Sequence, residues 1–120
     1  MRLILPTLKE KKRYIGFEII SDGNFKIDFK TAKNAIKRSL LNFLGEYGLA
    51  RAGILFVPKY ANNRGIIKTN VKEVDKVRAA LSLVKSIENK KVLIRTITVS
   101  GILNKAIKKT FAAQEGKCTS

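Results

Sequence analysis

The sequence contains no histidine, one cysteine and one methionine, so it has almost none of the side chains used for acid–base chemistry and soft-metal binding. Without histidine there is no His-based catalytic triad and no Cys/His zinc site. Cys118 cannot form an intramolecular disulfide, and a free thiol suits a reducing compartment. These absences exclude the commonest catalytic and zinc centres and predict a cytoplasmic protein.

Acidic residues are also scarce, with nine Asp and Glu against 25 Lys and Arg, a formal net charge of +16. A protein nuclease would need paired carboxylates to hold magnesium. Glu73 and Asp75 are the closest pair, but two residues apart on a helix they point away from each other. Acids near the positive start of a helix explain them better. With no Walker or G-x-G-x-x-G motif either, the sequence predicts no catalytic residues, no bound metal and no nucleotide hydrolysis.

Long apolar runs are missing as well. A membrane-spanning helix needs about 20 apolar residues, and the run at residues 3–5 is far below the roughly 7–15 residues of a signal-peptide core. The chain has 120 residues, of which 45% are apolar, enough for one domain with a core and a charged surface. Such a surface needs a polyanion, either nucleic acid or an anionic membrane. The missing apolar segment favours nucleic acid and predicts no membrane contact.

Hydrophobic periodicity predicts four strands and three helices in one α+β domain. The strands are expected at residues 13–20, 52–57, 65–71 and 91–99, and the helices at 31–44, 72–88 and 102–113. The second strand is expected to be central and to end at Pro58, followed by a long hairpin loop over 58–65. A basic arm at about 1–12 and a short flexible tail at about 114–120 complete the prediction.

This order of elements predicts a specific topology. Two βαβ halves with right-handed crossovers interleave into a four-stranded antiparallel sheet with both main helices on one face, the ferredoxin-like sandwich shared by RNA recognition motif domains. Those domains stack bases on aromatics of the first and third strands. Here the third strand, from Arg64 to Val71, has aliphatic and polar residues instead, and Tyr14 alone makes no platform. Contacts to phosphates, sugars and RNA shape are therefore expected.

Three basic clusters are the candidate RNA-binding residues. They lie in the N-terminal arm, in the loop after the second strand and on one face of the last helix. Their members are Lys9, Lys11, Lys12 and Arg13; Lys59, Tyr60, Asn62, Asn63 and Arg64; and Lys105, Lys108 and Lys109. For each cluster the alternative is a merely solvated segment: a lead-in, a plain turn or a charged helix face.

Three segments carry a family resemblance. They are LPTLKEKKRYI from residue 5 to 15 followed by Phe17-Glu18, VDKVRAAL at 74–81, and RTITVSG at 95–101. In this order they resemble the archaeal ribonuclease P protein component 2 family over nearly the whole chain. The resemblance implies the ferredoxin-like fold with extra helices. It also implies an RNA-binding subunit of the endoribonuclease that removes the 5′ leader of precursor tRNA.

The resemblance further implies that magnesium ions held on the RNA perform the cleavage, so that no cofactor is bound by this chain. Its implied partners are ribonuclease P RNA, precursor tRNA and protein component 3, with two copies of this subunit in a heterotetramer. The segments Lys9–Arg13 and Lys105–Lys109 would contact RNA, and exposed aliphatic residues would contact proteins. The segment Lys59–Arg64 matches the family less distinctively and rests on its own chemistry. A general or ribosomal-type RNA-binding protein and a free-standing nuclease are the alternatives.

Overall fold

A computed structural model of the chain describes residues 11–21, 23 and 25–119, with side chains described as far as residue 111. The elements are β1 (Lys12–Ser21), α1 (Phe29–Ala52), β2 (Leu55–Ala61), β3 (Arg64–Asn70), a 3-10 turn (Val71–Glu73), α2 (Val74–Ser82), β4 (Ser86–Ile87), β5 (Lys90–Ser100) and α3 (Leu103–Thr119). Among these residues, no helix is both long and apolar enough to cross a membrane.

The sheet has five antiparallel strands in the order β2-β3-β1-β5-β4. The prediction of four strands was wrong by one, because residues 86–87 were assigned to a helix. They form β4, which is joined to β5 by a two-residue turn with positive φ at Glu88 (50°) and Asn89 (65°). The α+β class and the four predicted strands are confirmed, and β4 is an addition at one edge.

The second predicted helix is shorter than its apolar pattern suggested. It was expected over residues 72–88, but α2 ends at Ser82. Val84 and Ile87 continue the apolar stripe and are buried, yet they reach the core from a loop and from β4. Periodicity alone could not separate these cases, because a helix and a turn followed by a strand can bury the same residues.

Glycines shape the first helix. Gly45 leaves the helical conformation (φ 77°, ψ 171°) just after residue 44, where the helix was expected to end, but the helix resumes and ends at Ala52. Gly53 then adopts the left-handed conformation (φ 61°, ψ 44°) that commonly closes a helix. The last helix also runs longer than predicted, since residues 114–119, expected as a tail, continue α3.

The β2–β3 hairpin differs most from the prediction. Pro58 does not end β2, and the expected loop over 58–65 is a tight two-residue turn at Asn62-Asn63, with φ of 52° and 61°. Asparagine tolerates this left-handed conformation. An irregularity in register between Phe56 and Tyr60 accommodates the proline. The central position was also wrong: β2 is an edge strand, where a proline costs little.

The main core lies between one face of the sheet and the helices α1 and α2. Alternate residues of β1 point into it, as the sequence predicted for Ile15, Phe17 and Ile19. The helices contribute Ala32, Ile36 and Leu40 from α1 and Val77, Ala80 and Leu81 from α2. The opposite face of the sheet is therefore left for α3.

Candidate RNA interface

Helix α3 covers part of the sheet face that α1 and α2 do not contact. Ala106 and Thr110 are fully buried against it, together with Ile66 of β3. Close approach depends on Gly16, because a methyl group added there would lie 1.9 Å from Thr110 Oγ1. The helix therefore rests directly on the backbone of β1.

A buried arginine ties the helix to the sheet. Arg64 donates to Glu18 Oε2 from Nη2 (3.0 Å) and Nε (3.3 Å), and its Nη1 donates to the carbonyl oxygen of Thr110 (3.1 Å). Arg95 donates to the other carboxylate oxygen of Glu18 at 2.8 Å. The Arg64 side chain is only 3% exposed. Arg64, predicted to contact RNA, thus lies inside the domain and joins β1, β3 and α3.

Two other residues of the predicted loop cluster hold the segment that precedes α1. Tyr60 donates from its hydroxyl to the Ile27 carbonyl oxygen (2.7 Å). Asn63 accepts from the Ile27 N–H (2.8 Å) and donates to the Phe25 carbonyl oxygen (2.7 Å). Burial, and secondarily the charge of Asp28, raise the pKa of Tyr60 to about 12, so the hydroxyl stays a neutral donor. These contacts give Tyr60 and Asn63 structural roles that the sequence did not reveal.

Each of the three predicted clusters has at least one cation on or beside α3. Lys105, Lys108 and Lys109 are exposed on its outer face. Near its end, Lys59 Nζ lies 5.4 Å from the centroid of the Phe111 ring. Near its start, a methyl group added at Gly101 would lie 3.2 Å from Arg13 Nη1. Arg13 of the arm and Lys59 of the hairpin thus lie close to α3 or to the residues that lead into it.

The remaining arm and hairpin residues are placed as follows. Lys11 is exposed, and Lys12 is half-buried and donates to Asn70 Oδ1. Asn62 is exposed at the hairpin tip. Lys9 lies outside the described residues. We define the α3 surface as Arg13, Lys59, Lys105, Lys108 and Lys109.

Lys68 is a further cation on the same face that was not predicted. Lys68 follows Ile66 by two residues on β3, so it points to the face that α3 covers. It is half-buried and lies opposite Tyr14 in the β1–β3 register. Because side chains alternate along a strand, assigning Ile66 to this face would also have assigned Lys68 to it.

Flexible ammonium groups on a helix are suited to phosphate oxygens, which attract them irrespective of base sequence. The geometry offers no stack of aromatic rings on this face among the described residues. Nor do these residues contain a group of three acidic or cysteine side chains placed to hold a metal ion. A surface of this chemistry suits electrostatic contact with a polyanion.

Known proteins resemble this chain along almost its full length. Ribonuclease P protein component 2 of Pyrococcus horikoshii is 39% identical over 117 residues, covering 97% of this chain and 95% of that protein. Its counterpart in Pyrococcus abyssi is 40% identical over 118 residues and covers 97% of each. The one in Methanocaldococcus jannaschii is 35% identical over 106 residues, 88% of this chain and 77% of that protein.

The fold has a counterpart among solved structures. A chain in the cryo-EM structure of yeast ribonuclease MRP superposes with a TM-score of 0.62 at 16% identity, covering 92% of this chain and 95% of that one. The model of the Rpp14/Pop5 family matches residues 13–111, from the first strand to the middle of α3. With this match and with relatives at 39 and 40% identity, the chain belongs to the Rpp14/Pop5 family.

Proposed function

We propose that this chain is a protein subunit of ribonuclease P and that its α3 surface braces the catalytic RNA that removes 5′ leaders from precursor tRNA. The observation that carries the proposal is the gathering of cations from three distant segments around α3, in a relative of ribonuclease P protein component 2. Neutralising phosphates lets RNA segments approach each other, because it reduces their mutual repulsion.

The chemical step is assigned to the RNA in this proposal. Magnesium ions held on the RNA would supply the cleavage chemistry, and the lysines of α3 would hold nearby phosphates in place. The position of α3 supports a mode without base stacking, because the helix covers part of the sheet face that an RNA recognition motif uses for bases. We also propose that β2-β3-β1-β5 is a ferredoxin-like sheet, which the strand order supports.

Protein partners follow from the same proposal. Component 3 and a second copy of this chain are the proposed neighbours in the assembly. Exposed apolar side chains on α1 and after α2 are available for such contacts: Phe43, Tyr47 and Leu83 are 47%, 76% and 51% exposed. Large apolar side chains in a patch of this kind commonly mark protein contacts.

RNA binding at several salt concentrations tests the role of the α3 surface. Replacing Lys105, Lys108 and Lys109 together by Gln should lower the slope of log affinity against log salt by about two to three, at roughly 0.7–0.9 per phosphate. The matched control replaces Lys30, Lys37 and Lys85, which are exposed in the layer of α1 and α2. An equal effect of both triple variants would remove α3 from the interface.

Cleavage assays separate the proposal from its alternatives. Pure chain should not cleave precursor tRNA, and addition of the cognate RNA and component 3 should give strong cleavage. A general RNA-binding protein would bind without helping cleavage. Cleavage by the chain alone would revive the free-standing nuclease and contradict the proposal.

A further inference from the structure

The outer edge of β5 is only partly occupied. The two residues of β4 pair only with Lys90 and Lys91 of β5. The chain that precedes Ser86 connects β4 to α2. Within residues 11–21 and 25–119, no strand lies beside β5 from Ile94 to Thr96 on that side. This stretch is an open sheet edge.

The backbone groups that face this edge can be identified. The Val92 N–H donates to the Lys85 carbonyl oxygen at 2.9 Å, so Val92 points its backbone groups away from β1. In an antiparallel ladder these directions alternate along the strand. Ile94 and Thr96 therefore also point their N–H and C=O groups outward, while Arg95 is directed to Glu18 in β1.

The two edge strands of the sheet differ in how strongly they resist pairing with a strand from another chain. Pro58, Lys59 and the irregular register of β2 discourage pairing on that side. β5 has no proline, and its extra residue in the β1 register falls at Ile97, beyond Thr96. An edge stretch without proline or a bulge is a template for strand addition.

A groove runs beside the open edge. It has a volume of about 400 Å³ and is walled by Ile94 and Thr96 on one side and by α2 on the other. The helix contributes two small side chains, Ala79 and Ser82, and two exposed charged ones, Asp75 and Arg78. A strand placed on the edge would direct alternate side chains into this groove.

On the other face of the same edge, charged and apolar side chains alternate. Arg95 is 52% exposed and Leu93 is 56% exposed, both on the face opposite α2. The exposed Arg78 forms no ion pair in the described part of the chain. Arg95 shares the Glu18 carboxylate with Arg64, and Asp75 lies on the same helix as Arg78. The three arginines still outnumber these two acids, so an acidic, extended segment complements the remaining positive charge. Residues 1–10 do not, because they carry Arg2 and Lys9 against Glu10 alone.

We propose that the open edge of β5 binds an extended acidic segment of a partner protein, which adds a strand beside Ile94–Thr96. An acidic side chain of that segment lies opposite Arg95, an apolar one lies beside Leu93, and a small one enters the groove between Ala79 and Ser82. This inference goes beyond RNA bracing, because it assigns a protein contact to the sheet edge beside α2.

Photo-crosslinking in the assembled particle tests the proposal. A benzoylphenylalanine at Ser82, with one at Lys76 as the control on the same helix, is introduced into tagged chain and irradiated after gentle purification. We expect the Ser82 probe to crosslink to an acidic segment of another protein and the Lys76 probe not to do so. Crosslinks to nucleotides, to residues 1–10 or to a second copy of the chain would overturn the proposal.

Hydrogen exchange and two variants give independent measurements. The Ile94 and Thr96 amides should exchange freely in the isolated chain and about tenfold or more slowly in the particle, as for a newly formed hydrogen bond. Thr96→Pro, which removes one outward N–H, and Arg78→Glu should each abolish the crosslink, whereas Lys72→Glu should not. Unchanged exchange in the particle would contradict the proposal. RNA recovered with the tagged chain reports separately on the proposed function.

Discussion

Replacing Arg64 by Met should destabilise the domain by releasing α3. Three hydrogen bonds from Arg64 reach Glu18 and the Thr110 carbonyl, and the arginine is 3% exposed while Glu18 is 12% exposed. Removing one partner of a buried ion pair costs about 3–5 kcal/mol. Because Glu18 keeps its contact with Arg95, we expect the lower end, about 3 kcal/mol.

The assay is thermal and denaturant unfolding combined with amide exchange. A loss of about 3 kcal/mol should lower Tm by roughly 10 °C in a domain of this size. Exchange should accelerate first in residues 103–111, which α3 presents to the sheet. Arg95→Met is the matched control, and its exposed end should limit the cost to about 0–1 kcal/mol.

A double variant distinguishes pairing from packing. Arg64→Met with Glu18→Met removes both charges, and we expect it to regain most of the stability because the largely buried carboxylate that has lost Arg64 is also removed. The reasoning is refuted if Arg64→Met costs no more than Arg95→Met, or if α3 exchange does not change. Apolar contacts alone would then hold the helix.

Three further predictions concern packing and titration. Gly16→Ala should cost about 1–3 kcal/mol by denaturant unfolding, because its methyl group would overlap Thr110, and Thr110→Ala should recover part of it. Asn63→Gly keeps the turn but loses two hydrogen bonds and should cost about 1–3 kcal/mol in the same assay. Tyr60 should ionise at about pH 12 in a titration of phenolate absorbance, and Tyr60→Phe should remove that step. Since its folded-state pKa lies above the ordinary 10, stability should fall as pH rises from about 10 through 12.

The family and most elements were predictable from the sequence. Alternation placed Ile15, Phe17 and Ile19 in the core, and helical spacing put the three lysines of α3 on one exposed face. Both signals are local, because each depends on the repeat of one element. Short segments that resemble a known family predicted the family, which is confirmed.

The features that could not be predicted depend mainly on contacts between elements that are distant in the sequence. The sequence around Arg64 looks like a basic loop, and only the neighbouring strand and α3 show that this arginine is buried. The position of β2 at the edge depends on which strands pair, which its apolar run does not encode. Two residues are also too few to give β4 a recognisable period.

The burial of the Arg64–Glu18 pair has a consequence for salt-dependence measurements. Mobile ions at about 0.15 M screen exposed charges beyond roughly 8 Å but affect buried pairs much less. Added salt should therefore detach a polyanion from the exposed lysines while α3 stays on the sheet. Salt titrations then count ions displaced from the phosphates, without a contribution from unfolding of the surface that binds them.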